Sequence, residues 1–241
     1  MNAPRPLTPG DLWRMKRVGP PEPAPDGSFI VPVTEYDIDE NRGVTRLFRL
    51  TQAGSEPEPL TSKDRSSTNP AVSPPGDRVA FLGKPFDEDD ARPQLFLLSL
   101  GGGEAERVTD LPLGVLDVRW LPDGDALVLM AEVFREARTL EAAAAHRDEL
   151  KDSKVQAKVT EDRVYRYWTR WLTDGAVPHL FHLDLKTGDL RDLTPDSNRW
   201  MYFMDPAGAF DVSPDGTEVA FAAEISEPPH DRLQSAVFTL P

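Results

Sequence analysis

The sequence contains no cysteine among its 241 residues. Disulfide bonds and thiolate zinc sites are therefore excluded, and a reducing compartment suits the chain. No segment approaches the roughly 18 consecutive apolar residues that cross a bilayer, and the first residues lack an apolar run of signal-peptide length. These absences predict a cytoplasmic protein that does not associate with a membrane.

Basic residues are also few, with 27 lysines and arginines against 41 aspartates and glutamates, for a net charge of −14. A surface with this excess of negative charge repels phosphate backbones, so nucleic acid is not an expected partner. The 24 prolines stand at intervals between apolar runs rather than in one block. This spacing is typical of turns and argues against a disordered chain.

A turn motif of one form occurs four times: at Pro25–Gly27, Pro74–Gly76, Pro122–Gly124 and Pro214–Gly216, at intervals of 49, 48 and 92 residues. Proline presets φ at the second turn position, and glycine takes the positive φ that closes the bend. Each turn precedes a short apolar alternation, such as "RVAFLG" or "EVAFAAE". The flanking segments are therefore predicted to be antiparallel strands.

A second motif follows later in three of these units, at Leu47–Thr61, Leu95–Thr109 and Leu180–Thr194. Each copy reads as a strand, a glycine-containing hairpin and a short strand that ends in threonine. One unit then has four strands in roughly 45 to 50 residues, which is the length of a β-propeller blade. A β-sandwich also has short strands at regular spacing, but it would not repeat one turn and one closing strand three times.

The sequence therefore predicts an all-β chain: a β-propeller of four-stranded antiparallel blades, of which about three and a half to four are present. Residues 1–19 form a short N-terminal helix and lead-in, and the blades occupy residues 20–241. Residues 135–175 interrupt the third blade, between its second and third strands, with a partly helical insertion. The predicted blades span residues 20–64, 65–112, 113–197 and 198–241, and the last one lacks its closing strand.

An incomplete propeller leaves one strand edge unpaired. The chain is then either a part of a longer protein or a fragment that finds a partner for that edge, and pairing with a second copy to form a homo-oligomer is left open.

Three stretches resemble a known family: the opening "LTPGDLWRMKRVGPPEPAPDGSFIVPV", the recurring "VSPDG" with "VAF", and "VYRYWTRWLTDGAVPHLFHLDLKTGDLRDLT". They are similar to the N-terminal propeller of the prolyl oligopeptidase family of serine peptidases, in its bacterial acylaminoacyl-peptidase and dipeptidyl-peptidase-like branch. The resemblance covers essentially the whole chain. The repeated turn alone is weak evidence, since TolB-like propellers share it, and the aromatic stretch is the more specific part.

The resemblance implies that the propeller covers a C-terminal α/β-hydrolase domain with a Ser-Asp-His triad and admits only short or N-acylated peptides. The nucleophile of such a domain lies in a G-x-S-x-G elbow, and none of the 241 residues matches that pattern. We therefore expect no catalytic residue, no cofactor and no metal in this chain. The expected partners are the hydrolase domain and peptide substrates. The alternative is a stand-alone TolB-like scaffold that binds other proteins.

Four histidines and one acidic run could suggest a metal site. His179 and His182 lie three apart in a predicted strand, so their side chains point to opposite faces and cannot share an ion. His146 and His230 are expected to face solvent. The run Phe86–Arg92 holds the carboxylates of Asp87, Glu88, Asp89 and Asp90 but lacks the spacing of a calcium loop, so a solvated turn is the better interpretation.

The stretch Val159–Gly175 combines aromatic and basic residues. Its rings could anchor the insertion to the blade, or line the entrance to a substrate cavity as blade insertions do in the resembled family. The residues named for this second role are Arg163, Tyr165, Arg166, Tyr167, Trp168 and Trp171. Dipeptidyl peptidases hold the substrate amine with two adjacent glutamates on such an insertion. Here Glu132, Glu136 and Glu141 are isolated, which argues against strict dipeptidyl specificity.

The N-terminal helix is expected to begin with Thr8 as its cap and Pro9 as its first residue. Leu12, Met15 and Val18 are spaced as the apolar face of a helix. This face is expected to pack on the propeller or, if the resemblance holds, against the hydrolase domain.

Overall fold

The structure is a computed structural model that describes residues 5–87, 90–155, 157–168, 170–201 and 207–241. Within these ranges the chain is mostly strand, with two helices, α1 (Pro9–Arg14) and α2 (Leu140–Asp152). The predicted short N-terminal helix and partly helical insertion are confirmed. Neither helix has the length and apolar content needed to cross a bilayer.

The chain divides into two compact units, and the first, Met1–Val108, contains two antiparallel sheets. In the first sheet the strand order is β1-β3-β4-β5, and β2 also pairs with β3. In the second sheet the order is β6-β7-β8-β9. The strands are β1 (Arg17–Val18), β2 (Glu22–Pro23), β3 (Phe29–Asp37), β4 (Arg42–Leu50), β5 (Glu58–Pro59), β6 (Arg65–Val72), β7 (Arg78–Pro85), β8 (Gln94–Ser99) and β9 (Glu106–Arg107).

The second unit, Thr109–Pro241, contains a third and a fourth sheet with orders β10-β11-β14-β15 and β16-β17-β18, and a small hairpin, β12-β13. Strands β11 and β14 pair over nine positions, from Ala126 with Asp184 to Phe134 with Ala176. The strands are β10 (Val115–Trp120), β11 (Ala126–Phe134), β12 (Arg166–Tyr167), β13 (Arg170–Trp171), β14 (Ala176–Asp184), β15 (Leu190–Asp192), β16 (Phe210–Val212), β17 (Val219–Glu224) and β18 (Ser235–Leu240).

Each of the four predicted turns connects two successive strands of one sheet: β2 to β3, β6 to β7, β10 to β11 and β16 to β17. In every case the glycine N–H donates to the carbonyl three residues earlier, at 2.8 to 3.0 Å, and the glycine has φ between 72° and 83°. This left-handed conformation strains any residue with a Cβ. The turns therefore require the glycine that the sequence repeats.

Successive turns also lie against each other inside each unit. A Cβ placed on Gly76 would lie 3.1 Å from Cδ of Pro25, and one on Gly216 would lie 3.0 Å from Cδ of Pro122. The proline of one turn thus occupies the space that the glycine of the next turn leaves open. This packing gives the repeated proline and glycine a role beyond the bend itself.

The second repeated motif closes a sheet. The N–H of Leu47 in β4 donates to Oγ1 of Thr61, and the N–H of Leu180 in β14 donates to Oγ1 of Thr194, both at 3.0 Å. Thr61 and Thr194 follow the short outer strands β5 and β15. The threonine hydroxyl therefore accepts the hydrogen bond of a buried backbone N–H that lies one residue past the last position paired with the outer strand.

Each unit has a core of its own. In the first, Ile30, Leu47, Val79 and Phe81 are fully buried, and Phe81 stacks on Phe96 with ring centroids 5.6 Å apart. In the second, the buried cluster includes Met130, Leu180, Met201, Phe210 and Phe221. The inward residues alternate along the strands, as expected for sheets packed face to face.

The predicted apolar helix face at the N-terminus is wrong in part. Thr8 and Pro9 begin α1 as expected, and the Thr8 N–H donates to the Asp11 carboxylate at 2.7 Å. The helix ends at Arg14, Met15 is extended, and Val18 lies in β1. Pairing of β1 with Val33 and Thr34 on β3 replaces the helical turn that the spacing suggested.

Candidate functional site

The inserted segment between β11 and β14 packs back on the end of the third sheet through α2. Thr139 caps this helix by accepting the N–H of Ala142 at 3.2 Å, and Ala143 is buried against Phe134. His146 lies edge-on to Phe134, with ring centroids 4.6 Å apart. His146 is therefore half-buried, where the sequence predicted a histidine facing solvent.

The aromatic part of the insertion forms the exposed hairpin β12-β13. Trp168 is 85% exposed and has φ of 51°, which places it at the tip. Arg166 lies over the ring of Trp171, with its Cζ 4.9 Å from the ring centroid, and its Nε donates to the Trp168 carbonyl. Tyr165 and Trp171 have ring centroids 6.1 Å apart, and Tyr167 is partly exposed. The rings support the hairpin itself and leave much aromatic surface free.

Two ion pairs connect this part of the insertion to its surroundings. Arg170 pairs with Glu132 on β11, and Arg163 pairs with Asp231 at 2.7 Å. The backbone N–H of Arg163 also donates to the carbonyl of Pro229 at 3.1 Å. The insertion is thus held at one side by β11 and at the other by the segment that joins β17 to β18.

A cleft of about 480 Å³ opens beside this second connection. Its lining includes Arg135 and Asp162 from the insertion, Trp200 from the segment before β16, and Ser226 and His230 from the β17–β18 connection. The six aromatic and basic residues named from the sequence do not belong to this lining. They stand on the neighbouring hairpin, so a role for them at an entrance stays a prediction.

His230 is one of the residues that line the cleft. Its Nδ1 is 2.7 Å from both carboxylate oxygens of Asp162, and its ring centroid is 5.1 Å from that of Trp200. Its side chain is only 9% exposed. The expectation that His230 faces solvent is therefore wrong, because a partner 68 residues away in the sequence covers it.

His179 and His182 lie on opposite faces of β14, as the alternation predicted. His179 is fully buried, and its ring nitrogens contact Asp192 Oδ2 at 2.7 Å and the Ser197 carbonyl at 2.9 Å. These contacts fix the chain just after β15. His179 is thus a structural residue that holds the segment leading from β15 to the cleft.

Arg135 enters the cleft directly after β11. Its N–H donates to the Gly175 carbonyl at 3.0 Å, and its Cζ lies 5.2 Å from the ring centroid of Trp200. Burial lowers the pKa of the Arg135 guanidinium, and the charges of Asp162 and Asp174 oppose that effect only in part. The guanidinium is a partly dehydrated cation on an aromatic surface.

Glu224 supplies a negative charge on the other side of the cleft. Burial works to raise the pKa of Glu224, but hydrogen bonds from the Ser226 side chain and from the backbone N–H groups of Ser226 and Gln234 together lower it. Its Oε1 accepts from Ser226 at 3.0 Å and from Gln234 at 2.7 Å. The carboxylate is ionised and holds the two ends of the β17–β18 connection together.

The acidic run of the second sheet lies elsewhere. Asp87 and Asp90 are exposed, and Asp90 pairs with Arg92 at 3.6 Å. Glu88 and Asp89 lie outside the described residues.

No family model matches the chain. Several curated bacterial proteins are similar to it, including two that are named as peptidases. The uncharacterized peptidase YuxL of Bacillus subtilis is 28% identical over 233 residues, covering 93% of this chain and 33% of that protein. Dipeptidyl-peptidase 5 of Porphyromonas endodontalis is 27% identical over 231 residues, covering 90% of this chain and 30% of that protein. The chain is similar to part of a peptidase. It spans about a third of the length of these relatives.

Solved structures agree on the fold. The acylaminoacyl peptidase of Pyrococcus horikoshii matches with a TM-score of 0.64 at 11% identity, over 94% of this chain and 31% of that one. TolB from Acinetobacter baumannii matches with a TM-score of 0.52 at 14% identity, over 92% of this chain and 41% of that one. The predicted β-propeller fold is confirmed. Together with the curated relatives, these matches are consistent with the propeller of the prolyl oligopeptidase family, as the sequence motifs predicted.

Proposed function

We propose that this chain is the propeller part of a serine peptidase that hydrolyses short or N-acylated peptides, and that it limits the size of the substrates. The observation that carries the proposal is the match to two proteins named as peptidases, over at least 90% of this chain and only about a third of theirs. The other two thirds of those relatives would correspond to the catalytic domain. In keeping with this, no G-x-S-x-G elbow occurs in the 241 residues.

The proposed gate consists of the insertion and the cleft beside it. The contacts of Asp162 with His230 and of Arg163 with Asp231 join the insertion to the β17–β18 connection. A segment held by a few polar contacts opens at a lower free energy than a strand of the core. The insertion is therefore suited to restrict the passage of bulky chains while the sheets stay intact.

The proposed partner is an α/β-hydrolase domain of the same protein. The N-terminal segment of the first unit supports this partner, since α1 has no buried residue. Leu7, Leu12, Trp13 and Met15 are between 44% and 78% exposed. Large apolar side chains exposed in one stretch are typical of a surface that another domain covers.

The first experiment tests whether the chain alone is catalytic. Purified chain of verified mass is incubated with chromogenic aminoacyl and acylaminoacyl substrates, with a known serine peptidase as positive control. We expect no turnover, because the triad would lie in the other domain. Turnover that a serine-directed inhibitor abolishes would contradict the proposal. A reading frame that stops directly after Pro241 would instead favour the stand-alone binding scaffold.

The second experiment tests the size filter in the longer protein. The Asp162→Ala substitution removes the His230 contact and is expected to raise the cleavage rate of long peptides relative to short ones. Asp87→Ala, which removes an exposed carboxylate far along the chain, serves as the control. An unchanged ratio of the two rates in Asp162→Ala would rule out gating by this contact.

A further inference from the structure

The cleft contains a cation without a counterion. The Nε of Arg135 is buried, and no hydrogen-bond acceptor for it lies among the described residues. No carboxylate of the described part of the chain is within ion-pair distance of its guanidinium. A buried donor without an acceptor destabilises the folded state, so such a group calls for an explanation.

Other arginines of the same unit are paired. Arg119 and Arg170 have side chains 34% and 32% exposed, and they contact Asp117 and Glu132. Arg138 donates to the amide oxygen of Asn198 at 2.5 Å. Partial burial therefore does not by itself leave an arginine unpaired here, and Arg135 differs from its neighbours.

The two carboxylates that act on Arg135 through space are engaged by other groups. Asp162 accepts from His230 at 2.7 Å and from the N–H of Val164 at 3.3 Å. Asp174 accepts from the N–H of Ala176 at 3.1 Å. Oxygens of both carboxylates are thus occupied by other donors, and the donors of the guanidinium are left for another acceptor.

Arg135 lines a cleft that is large enough for a small ligand. Its volume is about 480 Å³, within the range of about 300 to 1,000 Å³ that is usual for small-ligand sites. An anionic ligand group in this cleft could therefore pair with the guanidinium.

We propose that this cleft binds the C-terminal α-carboxylate of a short peptide, with Arg135 as the anchor. A guanidinium matches a carboxylate with two parallel hydrogen bonds. The exposed carboxylates Asp196 and Glu227 at the rim repel a dianion such as phosphate more than a monoanion. The choice of a peptide rests on the proposed function, whereas the choice of a carboxylate rests on the cleft.

The test is calorimetric titration of the purified chain with N-acetyl-Ala-Ala-Phe as the free acid and as the C-terminal amide. We expect the acid to bind at least about tenfold more tightly, the loss typical of a charged hydrogen bond. Arg135→Gln should abolish this preference, and Arg135→Lys should retain part of it. Arg191→Gln removes an exposed charge of β15 outside the cleft and should leave the preference unchanged.

Equal binding of acid and amide would overturn the proposal, as would binding of neither, or tighter binding of inorganic phosphate than of the peptide acid. Circular dichroism and thermal unfolding establish that each variant is folded. If Arg135→Gln does not fold, Arg135→Lys decides the matter: it keeps the charge but loses the bidentate geometry, and the preference for the acid should fall about fivefold. A negative titration leaves the peptidase assays untouched, so the two proposals fail separately.

Discussion

The third and fourth sheets contain the same pair of residues, an aliphatic residue followed by phenylalanine, in different surroundings. Leu180 in β14 is fully buried, and β15 covers the far edge of its strand. Val237, the corresponding residue before a phenylalanine in β18, is 75% exposed, and β18 is the outer strand of the described sheet. The difference shows that a neighbouring sheet, rather than the identity of the apolar residue, determines whether this position belongs to a core. Leu180 packs against Phe210 and Phe221 of the fourth sheet, whereas Val237 lies on the opposite face of that sheet, outside this core.

The largest expected effect comes from shortening the two side chains. Leu180→Ala should lower the free energy of unfolding by about 2 to 5 kcal/mol, because it leaves a cavity in a closed core. Val237→Ala should change it by less than about 0.5 kcal/mol, because the side chain is exposed. Chemical denaturation followed by circular dichroism measures both. Similar losses in the two variants would mean that the fourth sheet is covered in solution.

The closing threonine should give the next largest effect. Thr194→Val keeps the shape but leaves the buried N–H of Leu180 without its acceptor, at a cost of about 1 to 3 kcal/mol. Thr239→Val on exposed β18 is the matched control, with an expected change within about 0.5 kcal/mol. Equal stability of Thr194→Val and the parent chain would show that water replaces the hydroxyl.

The glycines of the two sheets permit a finer comparison. Gly188 in the third sheet and Gly216 in the fourth have φ of 77° and 73°, so alanine strains both by about 1 to 2 kcal/mol. Only Gly216 faces the proline of the preceding turn, so Gly216→Ala should be the more destabilising variant by a further fraction of 1 kcal/mol. Thermal unfolding of the pair measures this difference, and a reversed order would contradict the proline contact.

The smallest expected effect is the pH dependence of the fourth turn. Hydrogen bonds from the Ser213 hydroxyl and from Thr217 lower the pKa of Asp215 from 3.8 to about 2. A carboxyl whose pKa is depressed by folding stabilises the protein above its unfolded pKa and loses that contribution as the pH falls through the folded value. The stability difference between the parent chain and Asp215→Asn should therefore shrink between about pH 4 and pH 2.

Titration of stability by denaturant at each pH measures this change. Thr217→Val, which keeps the carboxylate and removes one donor, should give an intermediate slope. A difference that stays constant from pH 5 to pH 2 would show that Asp215 has the same pKa in the unfolded chain.

Structural features that depend on nearby residues and recur along the chain could be predicted from the sequence. The four turns and the closing threonines depend on residue types a few positions apart, so Gly76 and Thr194 could be assigned from spacing. The cleft depends on contacts between distant segments, such as Asp162 with His230, and no periodicity encodes them. No sequence pattern marked Trp200 as a residue of the cleft. The error at Val18 has the same origin, since pairing with β3 decided its conformation.

The pairing of Phe134 with Ala176 has a consequence for how this chain can vary. The insertion begins and ends at neighbouring residues of two paired strands, so it is a closed loop with respect to the third sheet. The entropy of closing such a loop rises by only about 0.6 kcal/mol for each doubling of its length. Residues 135–175 can therefore be shortened, extended or exchanged between proteins at little thermodynamic expense, and the specificity of a propeller can change while its sheets do not.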